Sequence, residues 1–467
     1  MTIGDVSGVA GELRELRREL QELRERVAVL ERENAALREA LEEARRAGKR
    51  QAAPFSRGTR KDNPKKPGRK AGSAYGLQGR REPPKKADQK IVVDCPLICP
   101  HCGGGVRLEG RSSQYQTDIP PIEPTTTEFE IHYGRCTSCH RRVQGREARQ
   151  ISDATGAVGG VQIGPNTIAI TAHLNKTCGM SYERITEVFS QTFGLKVSRS
   201  ALARSLMRLG TKATPTYTNL IERVRGSPVV SPDETGWRIG GDKAWLWTVA
   251  TPDTTVYQIE RGRGYAEAAK LLGEDFAGVL CADGWAPYRG FEHAQIQTCL
   301  AHLLRRSKEL REAPPTAACA TWFAEIAGVL QEALAIRDRR NNGTISSRAL
   351  RIAKGEIEAK MDRLLDEPDL HDESLRFAMH LLRYRQGMFL FLDRSDVDAT
   401  NYRAEQAIRP AVINRKTSGG NRTPRGARAQ AVLMSVLRTA KQRSVSALHA
   451  FNQMLRDHSP RVHRLGR

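Results

Sequence analysis

Three stretches decide how the C-terminal half of this chain folds: Ser231-Pro-Asp-Glu-Thr-Gly-Trp237, Cys281-Ala-Asp-Gly-Trp-Ala-Pro-Tyr288 and Asn401-Tyr-Arg-Ala-Glu405. The first sits in Pro228–Ile239, which reads as a strand. The second closes Phe276–Ala282, a continuous run of small and apolar residues of the kind buried on both faces of a sheet. The third opens a helix, Asn401–Val412. Working outward, Ala244–Ile259 and Gln295–Cys299 read as further strands, and Tyr265–Leu272 and Ala301–Leu310 as helices. Residues 312–395 are almost wholly helical in pattern. The loop Thr417-Ser-Gly-Gly-Asn-Arg-Thr423 leads into a last helix, Ala427–Arg443. Strands alternating with helices predict an α/β domain over 226–455, carrying 312–395 as a helical insertion.

The acids in these stretches have a pattern of their own. Phosphoryl transfer assisted by two divalent ions needs carboxylates that converge from separate elements around metals about 4 Å apart. A ribonuclease-H-like sheet supplies one Asp on its first strand, a second after its fourth, and an acid on a later helix. Asp233, Asp283 and Glu405 stand in that order on those element types. Two alternatives remain at this level. Glu234 adjoins Asp233, although alternation along a strand points it to the opposite face. Asp393, Asp396 and Asp398 precede the last acid's helix and compete with Glu405. Cys299 and His302, three apart at a strand–helix junction, read either as half of a metal site or, more commonly, as a buried thiol beside a satisfied imidazole. Trp245, Trp247 and Trp285 are stacking platforms for a splayed base or, for at least two of them, core residues.

The N-terminal half is modular. Leu13, Leu16, Leu20, Leu23, Val27, Leu30, Asn34, Leu37 and Leu41 alternate spacings of three and four, the a/d repeat of a coiled coil over 8–46. Asn34 at an a position favours two parallel strands, hence a homodimer. Residues 47–90 hold 14 Lys/Arg against 3 Asp/Glu and few large apolar residues, a flexible basic linker. Over 91–150, Cys99-Pro-His-Cys102 and Cys136-Thr-Ser-Cys139 form two Cys-x-x-Cys knuckles able to place four thiolates around a structural Zn²⁺, with Thr127–Tyr133 the clearest strand between them. Over 151–225, Ser181–Phe193, the breaker Gly194 and a short helix Ala201–Leu209 outline a helix-turn-helix, with Arg199, Arg204 and Arg208 facing phosphates or bases. The whole chain has 75 Lys+Arg against 53 Asp+Glu, a net charge of +22 that selects a polyanionic partner, with DNA first. No signal peptide and no apolar run of membrane-spanning length is read from the sequence, so a cytosolic protein with no membrane partner is expected, its nine cysteines thiols or metal ligands.

Around the acids, Pro232-Asp-Glu-Thr-Gly-Trp237 with Trp245-Leu-Trp247, Ala282-Asp-Gly-Trp285 with Cys299-Leu-Ala-His302, and Asn401-Tyr-Arg-Ala-Glu-Gln-Ala-Ile-Arg-Pro-Ala-Val-Ile-Asn-Arg-Lys416 followed by Ser418-Gly-Gly complete a longer pattern. In these blocks, and in the order of zipper, basic linker, knuckles and helix-turn-helix before them, the chain resembles the insertion sequence 66 family of bacterial transposases over nearly its whole length. The resemblance implies an Asp–Asp–Glu enzyme with Asp233, Asp283 and Glu405 in the acidic positions. It also implies binding to inverted-repeat ends and action at the bacterial nucleoid in the cytoplasm, with accessory proteins of the same element as partners. All-oxygen ligands suit Mg²⁺ or Mn²⁺, which would activate water to cut the transposon end and then the freed 3′-OH to join target DNA. Arg409, Arg415, Lys416 and Arg422 are placed to clamp phosphates. A DNA-binding regulator, or a nuclease that cuts without joining, is the rival reading.

Overall fold

A three-stranded antiparallel meander and two parallel strands make one sheet. Val229–Ile239 (β3), Asp242–Ala250 (β4) and Thr255–Glu260 (β5) pair antiparallel in sequence, while Val279–Ala282 (β6) and Gln295–Thr298 (β7) run parallel to β3, in spatial order β5-β4-β3-β6-β7. The single strand expected over Ala244–Ile259 is therefore two, because Thr251–Thr254 forms a turn closed by Thr251 N–H to Thr254 O at 2.8 Å. The computed structural model describes eight N-terminal residues (Leu20, Gln21, Leu23, Arg26, Val27, Leu30, Glu33 and Asn34) and residues 82–152, 162–367 and 370–466. The eight are helical, and Leu20, Leu23, Val27 and Leu30 are exposed. The basic linker from 47 to 81 and the rest of the zipper lie outside the described residues.

The chain divides into two units, residues 1–118 and 119–467. In the first, Cys99–Cys102 sits in a turn closed by Cys99 N–H to Gly104 O at 2.8 Å and Val106 N–H to Leu97 O at 3.0 Å. In the second, Tyr133–Arg135 (β1) and Arg142–Gln144 (β2) form a hairpin whose turn holds Cys136 and Cys139. The strand expected over Thr127–Tyr133 begins only at Tyr133, since the ladder is set by the knuckle turn rather than by the exposed alternating residues before it.

Helices Pro165–Lys176 (α1), Tyr182–Phe193 (α2) and Arg199–Arg225 (α3) follow. Ser181 and Ser198 cap the last two, and Gly194 ends α2 in the left-handed region. The short second helix expected over Ala201–Leu209 is instead 27 residues long. Gly210 does not stop it. A Cβ there would come within 2.9 Å of the Ala429 Cβ, so the glycine serves close approach to Pro424–Gln442 (α11).

Tyr265–Leu272 (α4), Leu300–Glu312 (α5), Ala317–Asn341 (α6), Ser347–Leu365 (α7), Asp372–Arg383 (α8), Leu390–Asp393 (α9), Tyr402–Ser418 (α10) and Ala447–Arg456 (α12) complete the chain. Alternation in β6 sends Leu280 and Ala282 into a core with α3, α4 and α12, and Val279 and Cys281 into a core with α5 to α9. The helical insertion thus braces one face of the sheet. Its α6 is long and apolar enough to cross a membrane, contrary to the sequence expectation, but Trp322, Phe323, Ile326, Leu330 and Ala333 on it are core residues. The edge strand β5 is covered by α11: Ser435 Oγ accepts from Tyr257 N at 2.9 Å, and Thr439 Oγ1 accepts from Thr255 N at 3.1 Å. Side-chain oxygens stand where another strand would pair.

Candidate active site

Asp233 lies just past the point where β3 and β6 stop pairing, after Val230 opposite Leu280. The two strands part there, and clefts in open sheets form where neighbouring strands diverge at their C-terminal ends. On β3, Asp233 shares its face with Trp237, which packs with Ile408 and Ala411 of α10. Glu234 belongs to the other face, opposite Trp247. There Arg263 donates to its Oε1 from Nε and a terminal nitrogen at 3.0 and 2.7 Å, and Tyr288 donates to Oε2 at 2.9 Å. Arg263 itself lies 3.8 Å from the Trp285 ring and 4.5 Å from the Trp245 ring. These two tryptophans clasp a cation, and Trp247 is buried against Tyr288.

Asp283 follows β6 directly. Its Oδ1 accepts the Trp285 N–H at 3.0 Å, a tight turn that needs Gly284 at φ +86°. Tyr384, just after α8, donates to the Gly284 carbonyl at 2.5 Å, so the insertion fixes this turn. Glu405 stands in the first turn of α10, where the helix dipole favours a carboxylate. The residue before that helix, Asn401, ties it to two other elements: its N–H donates to Cys299 Sγ at 3.1 Å and its side chain donates to the Pro232 carbonyl at 2.9 Å. The loop after α10 is fastened likewise. Gly420, at φ +125°, passes so close to Arg238 that a Cβ would meet its carbonyl oxygen at 2.4 Å, and Asn421 N–H bonds to that oxygen at 2.9 Å.

The electrostatics separate these acids from the rest. Burial, then the negative fields of Glu234, Asp283 and Glu405, push the Asp233 carboxyl up to about 7. Among the described residues none of Asp233, Asp283 and Glu405 has a Lys or Arg ion-pair partner; Glu405 has His302 Nε2 at 3.9 Å. By contrast Asp393 pairs with Lys354 at 2.7 Å, Asp396 with Arg394 at 2.6 Å and Asp398 with Arg403 at 2.9 Å. Burial raises the Cys299 thiol, but His302 and the Asn401 N–H outweigh it and hold the thiol below its usual range. The thiol in turn raises His302.

Residues 160–429, more than half of the chain, match the Transposase IS66 family. The chain belongs to that family. Two relatives come from Sinorhizobium fredii (strain NBRC 101917 / NGR234). Uncharacterized protein y4qI is 27% identical over 296 residues, 56% of this chain and 53% of its own length, so the match spans about half of that relative. Uncharacterized protein y4jD is 24% identical over 413 residues, 79% of this chain and 78% of its own. The matched residues include Asp233, Asp283 and Glu405.

Of the arginines and lysine singled out in the sequence of the transposase, Arg199, Arg204, Arg208, Arg409, Lys416 and Arg422 are exposed. Arg199 faces Glu183 at 3.6 Å. Arg415 is engaged: one nitrogen donates to Thr235 Oγ1 at 2.9 Å and to the Gly236 carbonyl at 2.6 Å, pinning α10 to β3. Arg204 and Arg208 line a cleft of about 390 Å³ together with Arg425, which the sequence reading passed over. Arg263, Tyr288 and Asn401 were also passed over, because each acts through a partner far away in sequence.

Each knuckle has the same local geometry. Backbone N–H groups of His101 and Cys102 lower the Cys99 thiol, and those of Cys139 and Ser138 lower the Cys136 thiol. The residue after each second cysteine is left-handed: Gly103 at φ +73° and His140 at φ +56°. A non-glycine residue held there costs free energy.

Proposed function

We propose that this transposase binds the inverted-repeat ends of its element, cleaves phosphodiester bonds there and joins the 3′ ends to target DNA. The observation that carries the reading is the uncompensated Asp233, half-buried in the field of Glu234, Asp283 and Glu405 with no cationic side chain in ion-pair range among the described residues. A purely structural carboxylate acquires a partner, as Glu234 does. An all-oxygen set left without one fits a hard divalent cation, Mg²⁺ or Mn²⁺. The sheet order β5-β4-β3-β6-β7 supports a ribonuclease-H-like catalytic domain, with Asp233 on its first strand, Asp283 after its fourth and Glu405 on a later helix. Asp233, Asp283 and Glu405 would hold the ions. Bound there, the ions supply Lewis acidity that activates the attacking oxygen and offsets charge developing on the phosphate. Asn401 keeps the first turn of α10 beside β3, and Tyr384 keeps the Asp283 turn closed.

Arg204, Arg208 and Arg425 would take DNA phosphates, with Arg199, Arg409, Lys416 and Arg422 further along the path. The local geometry of each knuckle, Cys99–Cys102 and Cys136–Cys139, supports the use of its thiolates as ligands of a structural Zn²⁺. The exposed Leu20, Leu23, Val27 and Leu30 support pairing of two chains through the zipper. The enzyme would act in the bacterial cytoplasm at the nucleoid, alongside accessory proteins of its element.

The test is cleavage and strand transfer on labelled transposon-end DNA with Mg²⁺, comparing wild type with Asp283→Ala. Cutting and joining by wild type alone, with end binding kept by both, is the expected result. Equal nicking by both proteins rejects the site. End binding with no activity in wild type favours a DNA-binding regulator, and cutting without joining favours a plain nuclease.

A further inference from the structure

Cys299, His302 and Glu405 are, among the described residues, the one group of three or more metal-competent side chains whose donor atoms all lie within 4.8 Å of one another. They arrive from three places: the end of β7, the first turn of α5 and the first turn of α10. His302 Nε2 stands 3.9 Å from Glu405 Oε1. Ligands of a tetrahedral ion with bonds of ~2.1 Å to nitrogen and oxygen stand about 3.4 Å apart, so the carboxylate and imidazole need to close by only about half an ångström. Cys299 is buried, 1% exposed. The His302 Nδ1 is buried and has no hydrogen-bond partner of its own.

One sulfur, one nitrogen and one oxygen make a donor set for a borderline-soft cation, unlike the all-oxygen set of Asp233, Asp283 and Glu405. The two sets share Glu405. We propose that Cys299, His302 and Glu405 bind a thiophilic divalent cation of zinc's class, and that its occupation draws Glu405 away from the acidic pair and stops Mg²⁺-dependent cleavage. The inhibitory half rests on Glu405 serving the catalytic ions; the binding half rests on the geometry alone. Three protein ligands leave a fourth position for water.

The experiment uses the full chain, with Zn²⁺ and Co²⁺ as probes. Wild type, Cys299→Ser and His302→Ala are loaded, dialysed and assayed for metal per chain, with circular dichroism as the check on folding. Serine at 299 keeps an acceptor for the Asn401 N–H, so its fold is the safer of the two. Wild type is expected to retain an additional zinc relative to both variants, and its Co²⁺ form to show a stronger thiolate-to-cobalt absorption than Cys299→Ser. Cleavage is then measured in Mg²⁺ with and without added Zn²⁺, each protein against its own zinc-free rate. Wild type should slow by about tenfold or more and the variants should not. Equal zinc and equal cobalt spectra in wild type and Cys299→Ser overturn the site. Zinc bound with no slowing, while Glu405→Gln is inactive, overturns the inhibition. Full Mg²⁺-dependent cleavage by Glu405→Gln overturns the catalytic assignment and the inhibition with it, and the metal count still decides the site.

Discussion

Two acidic neighbourhoods flank the start of α10, and they differ in one respect. Asp393, Asp396 and Asp398 each have a Lys or Arg within 2.9 Å and stand with roughly half of the side chain exposed. Asp233, Asp283 and Glu405 have no such partner among the described residues, and Asp233 is raised to about 7 by burial and by its acidic neighbours. Solvent and a nearby cation make the first group cheap to keep ionised. In the second, Asp233 is costly to keep ionised in the protein alone, which is the condition under which a bound cation contributes most. Proximity in sequence to a helix does not distinguish the candidates for the third acid; the cations around them do.

The largest expected effect follows from removing an unpaired acid. Asp283→Ala should lower Mg²⁺-dependent cleavage by roughly 10³-fold or more, since under the proposed roles it removes a metal ligand and with it several kcal/mol of transition-state stabilisation. End binding, read by gel shift, should stay near wild type.

Next is the acid that sits beside the site but is neutralised. Glu234 is 2% exposed in its side chain and its cation Arg263 is 32% exposed. Arg263→Met keeps apolar volume between Trp245 and Trp285 and leaves Glu234 uncompensated. A loss of about 2–4 kcal/mol in unfolding free energy is expected, below that for a wholly buried pair because solvent already screens Arg263. Denaturant titration reads it, and an unchanged midpoint would show that Tyr288 alone satisfies the carboxylate.

The pH dependence of stability separates the neighbourhoods again. A carboxyl with its folded pKa raised from 3.8 to about 7 binds its proton more tightly folded than unfolded. Its contribution is therefore favourable at low pH and is lost as pH rises through about 4 to 7. The metal-free protein should lose stability across that window, Mg²⁺ should restore it above pH 7, and Asp233→Asn should flatten both responses. Thermal melts with and without Mg²⁺ check this; a wild-type profile that is flat and indifferent to Mg²⁺ would remove the distinction drawn for Asp233.

Much of this was legible in the sequence where the physics is local. Gly194 and the serine caps mark helix ends, alternation separates Asp233 from Glu234, and the run ending at Ala282 is a buried strand whose last neighbour is Asp283. What depends on distant partners was not. The helix expected to end at Leu209 runs on through Gly210, where the absence of a Cβ admits Ala429. Asn401 reads only as the first residue of a helix, yet its side chain reaches Pro232, 169 residues away. Arg263 carries no motif, and its role exists only because Glu234, Trp245 and Trp285 meet around it.

The smallest expected effect is the sharpest control. Arg394 and Asp396 form a 2.6 Å pair, but the two side chains are 36% and 51% exposed and only two residues apart. Such pairs contribute about 0–1 kcal/mol, because high dielectric weakens the attraction and ordering two long side chains costs entropy. Asp396→Asn should therefore change the unfolding free energy by less than about 0.5 kcal/mol and leave cleavage within about twofold of wild type. It lies close in sequence to Glu405 and removes the same kind of charge as Asp283→Ala, so a difference between the two variants cannot come from net charge or from general weakening of DNA binding. If Asp396→Asn instead abolished cleavage while Glu405→Gln did not, the third metal ligand would lie before α10, and pairing with a cation would no longer mark an acid as idle.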